Sequence, residues 1–134
     1  DELLRVLKPG GLLAVADWNR RDGPMGRGER WVMRQLLEQW AHPEFATIGG
    51  LQQHLQQSPH AAAMAIETGD WSQATLPSWI DSIAEGVRRP GAILGLGPKA
   101  VLQGLRETPT ILLMHWAFAT GLMQFGVFRG SKPG

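Results

Sequence analysis

The segment that decides the fold class is RVLKPGGLLAVADW, residues 5–18 of the chain. Residues 2–7 have the spacing of a helix end, with three leucines on one face. Pro9 disfavours helix at the residue before it, and the two glycines that follow permit a tight turn. The unbroken apolar run over residues 12–16 then predicts a short strand that is buried on both faces, as in a parallel sheet.

Periodicity along the rest of the chain predicts further helices and strands. Helices are predicted over residues 29–41, 47–57, 76–87 and 98–106, and from Thr108-Pro109 to residue 123. Strands are predicted over residues 61–68 and 124–128, and loops over residues 19–28 and 70–74. Thr47 is the predicted N-cap of one helix, and Ser78 with Asp81 is a predicted capping pair of another. This order of elements predicts the α/β class.

Composition sets bounds on the function. The chain has 134 residues, 43% of them hydrophobic and 19% charged, which suffices for one globular domain with a single core. A net charge of +1 gives no strong field, so no nucleic-acid partner is expected. The absence of cysteine excludes disulfides and thiol nucleophiles and fits a reducing, cytoplasmic compartment. Six tryptophans without a single tyrosine indicate broad aromatic surfaces.

The residues that carry a family resemblance are Lys8-Pro9-Gly10-Gly11 and the predicted strand that follows. This run resembles class I S-adenosylmethionine-dependent methyltransferases, in which a helix ends in L-K-P-G-G and leads into the fifth strand of a seven-stranded sheet. Four further segments are similar to the C-terminal half of the tocopherol and methylphytylbenzoquinol methyltransferase group. They are residues 18–24, Asp70-Trp71-Ser72, Leu76-Pro77-Ser78-Trp79 and residues 124–128.

The resemblance implies a fold and the place of the cofactor. It implies the C-terminal half of a Rossmann-like sheet, with about three strands, the last inserted antiparallel between the others, and residues 1–134 as a single partial domain. In the family, S-adenosyl-L-methionine is held by the first half of the fold. We expect that half to be absent, and therefore no cofactor-binding residue in this chain alone. Gly95-Leu96-Gly97 is predicted to be a turn between helices, because no strand precedes it.

Five residues are candidates for the acceptor site. Asp17 and Trp18 end the predicted strand, where ligands bind in open α/β sheets, and the alternative is a loop start with ordinary packing. His115 is the candidate catalytic base or phenol-positioning residue, and the alternative is a hydrogen-bonded core histidine. Trp79 and Trp116 are candidate substrate-binding walls for a flat ring and a prenyl tail, and the alternative is plain core packing.

Other histidines and apolar stretches give weaker signals. His42, His54 and His60 are not spaced four residues apart, as two metal ligands on one helix face would be. The chain has no cysteine to act as a further ligand, so no metal is predicted. Residues 111–122 form an apolar stretch that is shorter than the ~20 residues needed to span a bilayer. Burial is the first interpretation of this stretch, and a peripheral membrane contact that admits a lipophilic quinol is the second.

The predicted function is that of a methyltransferase fragment. It would supply the acceptor-binding side for a prenylated aromatic, tocopherol- or quinol-like substrate and be inactive alone, so whether this chain is itself an enzyme stays open. One alternative is a stand-alone, non-catalytic binding module for an apolar ligand. Another is a subunit that completes a separate N-terminal chain. Because the strand over residues 12–16 would keep one unpaired edge, a homodimer through that edge is expected.

Overall fold

The computed structural model describes residues 2–40, 44–61 and 63–134. Its elements, in chain order, are α1 (Glu2–Val6), β1 (Leu12–Arg20), α2 (Arg27–Gln39), α3 (Ile48–Gln56), a 3₁₀ helix (Pro59–Ala61), β2 (Glu67–Asp70), α4 (Ser72–Arg88), α5 (Pro90–Leu94), α6 (Pro98–Ala119) and β3 (Met123–Ser131).

The chain divides into two compact units. The first, which we call the sheet unit, consists of Asp1–Gly23, Phe45–Ser72 and Met123–Gly134. The second, the helical unit, consists of Pro24–Glu44 and Gln73–Leu122. The single partial domain that the sequence indicates stays a prediction.

The sheet unit contains a three-stranded sheet in the order β1-β3-β2. β3 pairs antiparallel with β1, from Leu12 opposite Ser131 to Arg20 opposite Met123. It also pairs antiparallel with β2, where the exposed Arg129 and Glu67 side chains meet at 2.6 Å. The α/β class is therefore confirmed, and so is the insertion of the last strand between the other two.

The turn before β1 explains the two consecutive glycines. The Gly11 amide donates to the Lys8 carbonyl at 2.9 Å, and Gly10 has a φ of +73°. With Pro9 at the second position, this is the pattern of a type II turn, whose third position favours glycine because an L side chain is strained there. The Lys132 ammonium donates to the Leu4 carbonyl at 3.2 Å and to the Leu7 carbonyl at 2.9 Å. These bonds attach the segment that follows β3 to the end of α1.

The core of the sheet unit lies on one face of the sheet. Its buried members come from α1, the strands, α3 and the segment before β2: Leu4, Leu13, Leu55, Ala61, Met64, Ile66 and Phe128. On β1, Leu13 is 7% exposed, whereas its neighbour Leu12 is 78% exposed. The predicted burial of both strand faces is thus wrong in the described structure. An apolar run does not reveal whether one or two layers cover a strand, and here β1 joins an antiparallel sheet and leaves Leu12 exposed on its second face.

A close approach between β1 and β3 depends on one glycine. Asn19 is fully buried, and its Nδ2 donates to the Ala46 carbonyl at 3.3 Å. Its Oδ1 lies over Gly126, where an added Cβ would come within 2.1 Å of that oxygen. A side chain at position 126 therefore requires the strands or the amide to move.

The helical unit buries one face of α2 against α6. The buried residues are Val32, Met33 and Leu36 on α2 and Thr110, Met114, Ala117 and Phe118 on α6. The amphipathic helix predicted over residues 29–41 corresponds to α2, whose described end is Gln39. In the sheet unit, Thr47 is confirmed as the N-cap of α3, because its Oγ1 accepts from the Gly50 amide at 3.0 Å.

Several predicted boundaries are wrong, among them the end of the first strand, since β1 runs to Arg20 into the predicted loop over residues 19–28. Three other errors concern β2, α4 and α6. The strand predicted over residues 61–68 starts only at Glu67, since a 3₁₀ helix and irregular chain occupy most of that range. The loop predicted over residues 70–74 is already helical from Ser72, so Ser78 and Asp81 lie inside α4 and cap nothing. The helices predicted over residues 98–106 and from residue 108 form one helix, α6, with Pro109 in its interior.

The fold predicts an asymmetric response of two glycines to alanine. Gly126→Ala should lower the free energy of unfolding by about 1–3 kcal/mol, because the new methyl group overlaps the buried Asn19 amide. Gly28→Ala is the control, since a Cβ there meets nothing within 4 Å inside α2, and stability should hold or rise by up to ~1 kcal/mol. Urea unfolding measures both. Equal stability of the two variants would contradict the described packing of β1 on β3.

Candidate functional site

An apolar groove of about 480 Å³ runs between α4 and α6 within the helical unit. We call it the acceptor groove, after the acceptor site that the sequence predicts for this chain. On α4 it is lined by Trp79, Ser82, Ile83, Gly86 and Val87. On α6 it is lined by Val101, Gly104, Leu105, Thr108, Ile111 and Leu112. Ser82 and Thr108 are the polar members of this set, so the groove suits an elongated apolar ligand with little demand for hydrogen bonds.

One wall of this groove is formed by α6, which continues through Pro109 without a break. Its lining positions recur three and four residues apart on both sides of Pro109, which is the spacing of a single helix face. Thr108 donates its hydroxyl to the Gly104 carbonyl at 2.8 Å. Gly104 leaves the space open, because a Cβ there would meet no atom within 4 Å. A larger side chain at this position could therefore enter the groove without displacing the protein.

Trp79 is the aromatic wall of the groove. It is half-buried on α4, and its ring lies 6.4 Å from that of the buried Phe118, at an interplanar angle of 46°. That tilted geometry is a favourable one for aromatic pairs and holds the indole in place. The sequence-based interpretation of Trp79 as a pocket wall is consistent with this position, and its contact with substrate stays a prediction.

His115 lies one helical turn beyond Ile111, on the same side of α6 as the groove. It is half-buried, and its Nδ1 is buried without a hydrogen-bond partner among the described residues. A buried imidazole nitrogen with no protein partner leaves a hydrogen-bonding capacity unused, and His115 is not among the described residues that line the groove. Trp116, 42% exposed, is not among the described residues that line the groove. The roles of both residues stay predictions.

Asp17 and Trp18 lie in the sheet unit, and their predicted placement at the end of the strand is wrong. β1 continues to Arg20, so both residues sit inside the strand, opposite Gly126 and Phe125. Successive strand residues point to opposite faces, so the two side chains do not share one site. The exposed Asp17 carboxylate accepts from the Trp18 amide at 2.8 Å. Their part in acceptor binding stays a prediction.

A polar junction at the start of α4 was missed by sequence reasoning. Asp70 accepts from the Ser72 amide at 2.9 Å and from the Gln124 side chain at 2.8 Å, and it also bonds the Ser72 hydroxyl. Ser72 Oγ in turn accepts from the Phe125 amide at 2.9 Å. The signal was an Asp two residues before a Ser, which offers the backbone a cap. The junction fixes the end of β2 and the first residue of α4 to β3.

The one glycine-rich segment that the sequence offers as a candidate does not fit a cofactor loop. Gly95-Leu96-Gly97 lies between α5 and α6, where Gly97 is the N-cap with a φ of +93°. This confirms the predicted turn between helices, and no strand precedes it as a dinucleotide-type loop requires. Within the described ranges, no three metal-ligating side chains cluster, and His42 lies outside those ranges. Nor does any described helix combine the length and hydropathy needed to cross a membrane.

Known structures share this fold. A Galdieria sulphuraria protein, described as a candidate sarcosine dimethylglycine methyltransferase, matches 98% of the chain with a TM-score of 0.76 at 16% identity, over 45% of its own length. Phosphoethanolamine N-methyltransferase 2 of Haemonchus contortus matches 98% of the chain with a TM-score of 0.71 at 15% identity, over 29% of its own length. The fold is therefore the one found in S-adenosylmethionine-dependent methyltransferases.

Sequence comparison narrows this class. No protein-family model matches the chain. Over 134 residues the chain is 48% identical to 2-methyl-6-phytyl-1,4-hydroquinone methyltransferase of Synechocystis sp., and over 141 residues it is 23% identical to chloroplastic tocopherol O-methyltransferase of Arabidopsis thaliana. The alignments cover 98% of the chain but only 42% and 38% of these relatives. The predicted resemblance to the tocopherol and methylphytylbenzoquinol methyltransferase group is confirmed, and the partial coverage fits a portion of such a protein.

The open space at Gly104 predicts how the groove can be closed. Gly104→Leu should weaken the binding of an apolar fluorescent dye at least about fivefold. The leucine side chain would occupy part of the groove, so the dye would bury less of its apolar surface there. Gly28→Leu on α2 is the matched control, since its Cβ position is equally open and outside the lining set. Fluorescence titration measures both. The same affinity in both variants would show that the dye binds elsewhere.

Proposed function

We propose that this chain is the acceptor-binding portion of a methyltransferase that acts on a prenylated aromatic substrate of the tocopherol or quinol kind, and that it is inactive alone. The observation that carries the proposal is the 48% identity, along nearly the whole chain, to an enzyme whose name specifies a phytylated hydroquinone. The partial coverage of that relative supports a division in which other residues hold S-adenosyl-L-methionine.

The acceptor groove supports the choice of substrate. A phytyl or similar tail is apolar and elongated, and so is the space between Trp79 and the α6 residues that face it. The aromatic head would then lie toward His115, whose buried Nδ1 could accept the proton of a ring hydroxyl. Positioning and proton acceptance are the two tasks that these residues can perform.

The two rival functions make different demands. A stand-alone binding module needs the groove but no partner residues for the donor. A subunit that completes a separate N-terminal chain needs the groove and also donor-binding residues, which the other chain supplies without a covalent link. The Synechocystis relative favours the methyltransferase portion over the module, because its similarity extends over 98% of the chain.

A graft tests the proposal. We expect that replacing the matching segment of the Synechocystis enzyme with this chain gives a protein that methylates the phytylated hydroquinone, because the two share 48% of their residues. The isolated 134-residue chain should neither methylate nor bind S-adenosyl-L-methionine in calorimetry. In the graft, His115→Gln should lower kcat about 10²-fold or more if the imidazole accepts the phenol proton.

The controls separate these claims. Gly28→Leu in the graft should leave kcat and KM unchanged, whereas Gly104→Leu should raise KM for the prenylated substrate. An inactive but folded graft that still binds the hydroquinone would favour the binding module. Activity from an unlinked mixture of this chain and the remaining segment would favour the subunit. Micromolar binding of S-adenosyl-L-methionine by the chain alone would contradict the proposed division.

We also propose that the isolated chain forms a homodimer through β1. In the described sheet β1 is an edge strand. On its outer edge the Arg20 amide donates to the Ala46 carbonyl. The Leu12 side chain, on a face of the strand, is 78% exposed. A neighbouring surface groove between α1 and β1 carries the exposed Leu3 and Val6. An apolar strand edge of this kind is a template for pairing with a second copy.

Light scattering tests the dimer. The chain should have twice its monomer mass at high concentration, and Ala14→Pro should shift it to monomer, because proline on the outer edge removes a donor and blocks pairing. Circular dichroism checks that the variant remains folded. A wild-type chain that stays monomeric would contradict this proposal.

A further inference from the structure

Basic charge is concentrated in one part of the helical unit. Residues 85–107 contain four basic and two acidic residues, whereas the whole chain has 13 basic and 12 acidic residues. The basic residues are Arg88, Arg89, Lys99 and Arg106, all of them exposed. Arg89 pairs with Glu85 at 2.7 Å, while Lys99 and Arg106 form no ion pair with any described residue. The segment therefore presents net positive charge to its surroundings.

The same part of the chain exposes large apolar side chains. Leu94, Leu96, Leu102 and Leu105 are each more than half exposed, with Leu96 at 74%. They belong to α5, the turn after it and the first two turns of α6. Single exposed apolar residues are common, but four leucines beside unpaired basic residues form the combination found on helices that lie in a bilayer interface. We call these leucines with Lys99 and Arg106 the basic-apolar surface.

This surface is continuous with the acceptor groove. A shallow groove between α5 and α6 is lined by Leu94 and Leu102, and it shares Val101 and Leu105 with the acceptor groove. On the other side of α6, Leu102 also borders the cleft that contains Lys99, Arg106 and Glu107, where the basic side chains outnumber the acidic one. The apolar path therefore starts at the basic residues and ends between α4 and α6.

We propose that the basic-apolar surface binds an anionic lipid bilayer and that a lipophilic acceptor passes from the bilayer into the acceptor groove. The docking rests on charge complementarity, because anionic headgroups pair with Lys99 and Arg106 while the leucines enter the acyl boundary. A second copy of the chain fits less well, since it would bring the same positive charges together. The passage of the acceptor rests on the proposed function, and the docking does not.

Vesicle flotation of the 134-residue chain tests the docking. The chain should float with vesicles of phosphatidylcholine and phosphatidylglycerol, and much less with phosphatidylcholine alone or at high salt. Leu96→Glu with Leu102→Glu should abolish flotation. Lys99→Gln with Arg106→Gln should reduce partitioning at least about tenfold, since each basic residue near such a surface contributes roughly fivefold. All four side chains are exposed, so circular dichroism should show unchanged folding.

Matched controls come from other exposed positions. Trp31→Glu with Ile80→Glu and, separately, Arg27→Gln with Arg34→Gln should float like the unmodified chain. Equal flotation of the test and control variants, or equal binding to neutral vesicles, would overturn the docking proposal. So would light scattering that shows the leucine substitutions dissociating a dimer, because a second copy would then cover the surface.

A separate measurement distinguishes this proposal from the proposed function. Binding of the phytylated hydroquinone in detergent should be lost in Gly104→Leu and kept in Leu96→Glu with Leu102→Glu. If flotation fails while this binding persists, the membrane proposal is wrong and the proposed function stands. If flotation succeeds but the hydroquinone does not bind, the acceptor groove has been misassigned, and the docking surface stands without the passage of the acceptor.

Discussion

The central position of β3 is the constraint on which the sheet unit depends. β3 carries the whole hydrogen-bonded ladder, because β1 and β2 pair with it and not with each other. It can do so only because Gly126 leaves room for the buried Asn19 amide on β1. The Asp70 junction then fixes the start of α4 to the same strand. One close backbone approach and one polar junction thus connect elements that are distant in sequence.

In the helical unit the corresponding constraint is the continuity of α6. A proline inside a helix costs about 3 kcal/mol through a lost hydrogen bond and a ring clash, so two shorter helices were the natural expectation at Pro109. Burial of Thr110, Met114 and Phe118 offsets that cost and keeps the helix whole. The continuous helix faces α4 along the acceptor groove, and its first turns carry the exposed leucines. A single unbroken element therefore supplies both the groove and the surface that leads to it.

The relationship to methyltransferases has two levels. Structural likeness at 15–16% identity establishes the fold, which proteins named for quite different acceptors share. The 48% identity to the phytylated-hydroquinone enzyme is more specific, and the proposed acceptor class rests on it. The predicted site residues are divided between the units: Trp79 and His115 belong to the groove side, whereas Asp17 and Trp18 point to opposite faces of β1.

The sequence by itself determined the turn before β1, the amphipathic α2, the N-cap at Thr47 and the family resemblance, because each depends on neighbouring residues or on a short motif. It could not determine the start of α4, the merging of two helices across Pro109 or the one-sided burial of β1. Those features depend on contacts with residues distant in the chain, such as Ser72 with Phe125 and the α6 face with α2. Only the tertiary structure could decide them, since packing and long-range hydrogen bonds override local preference.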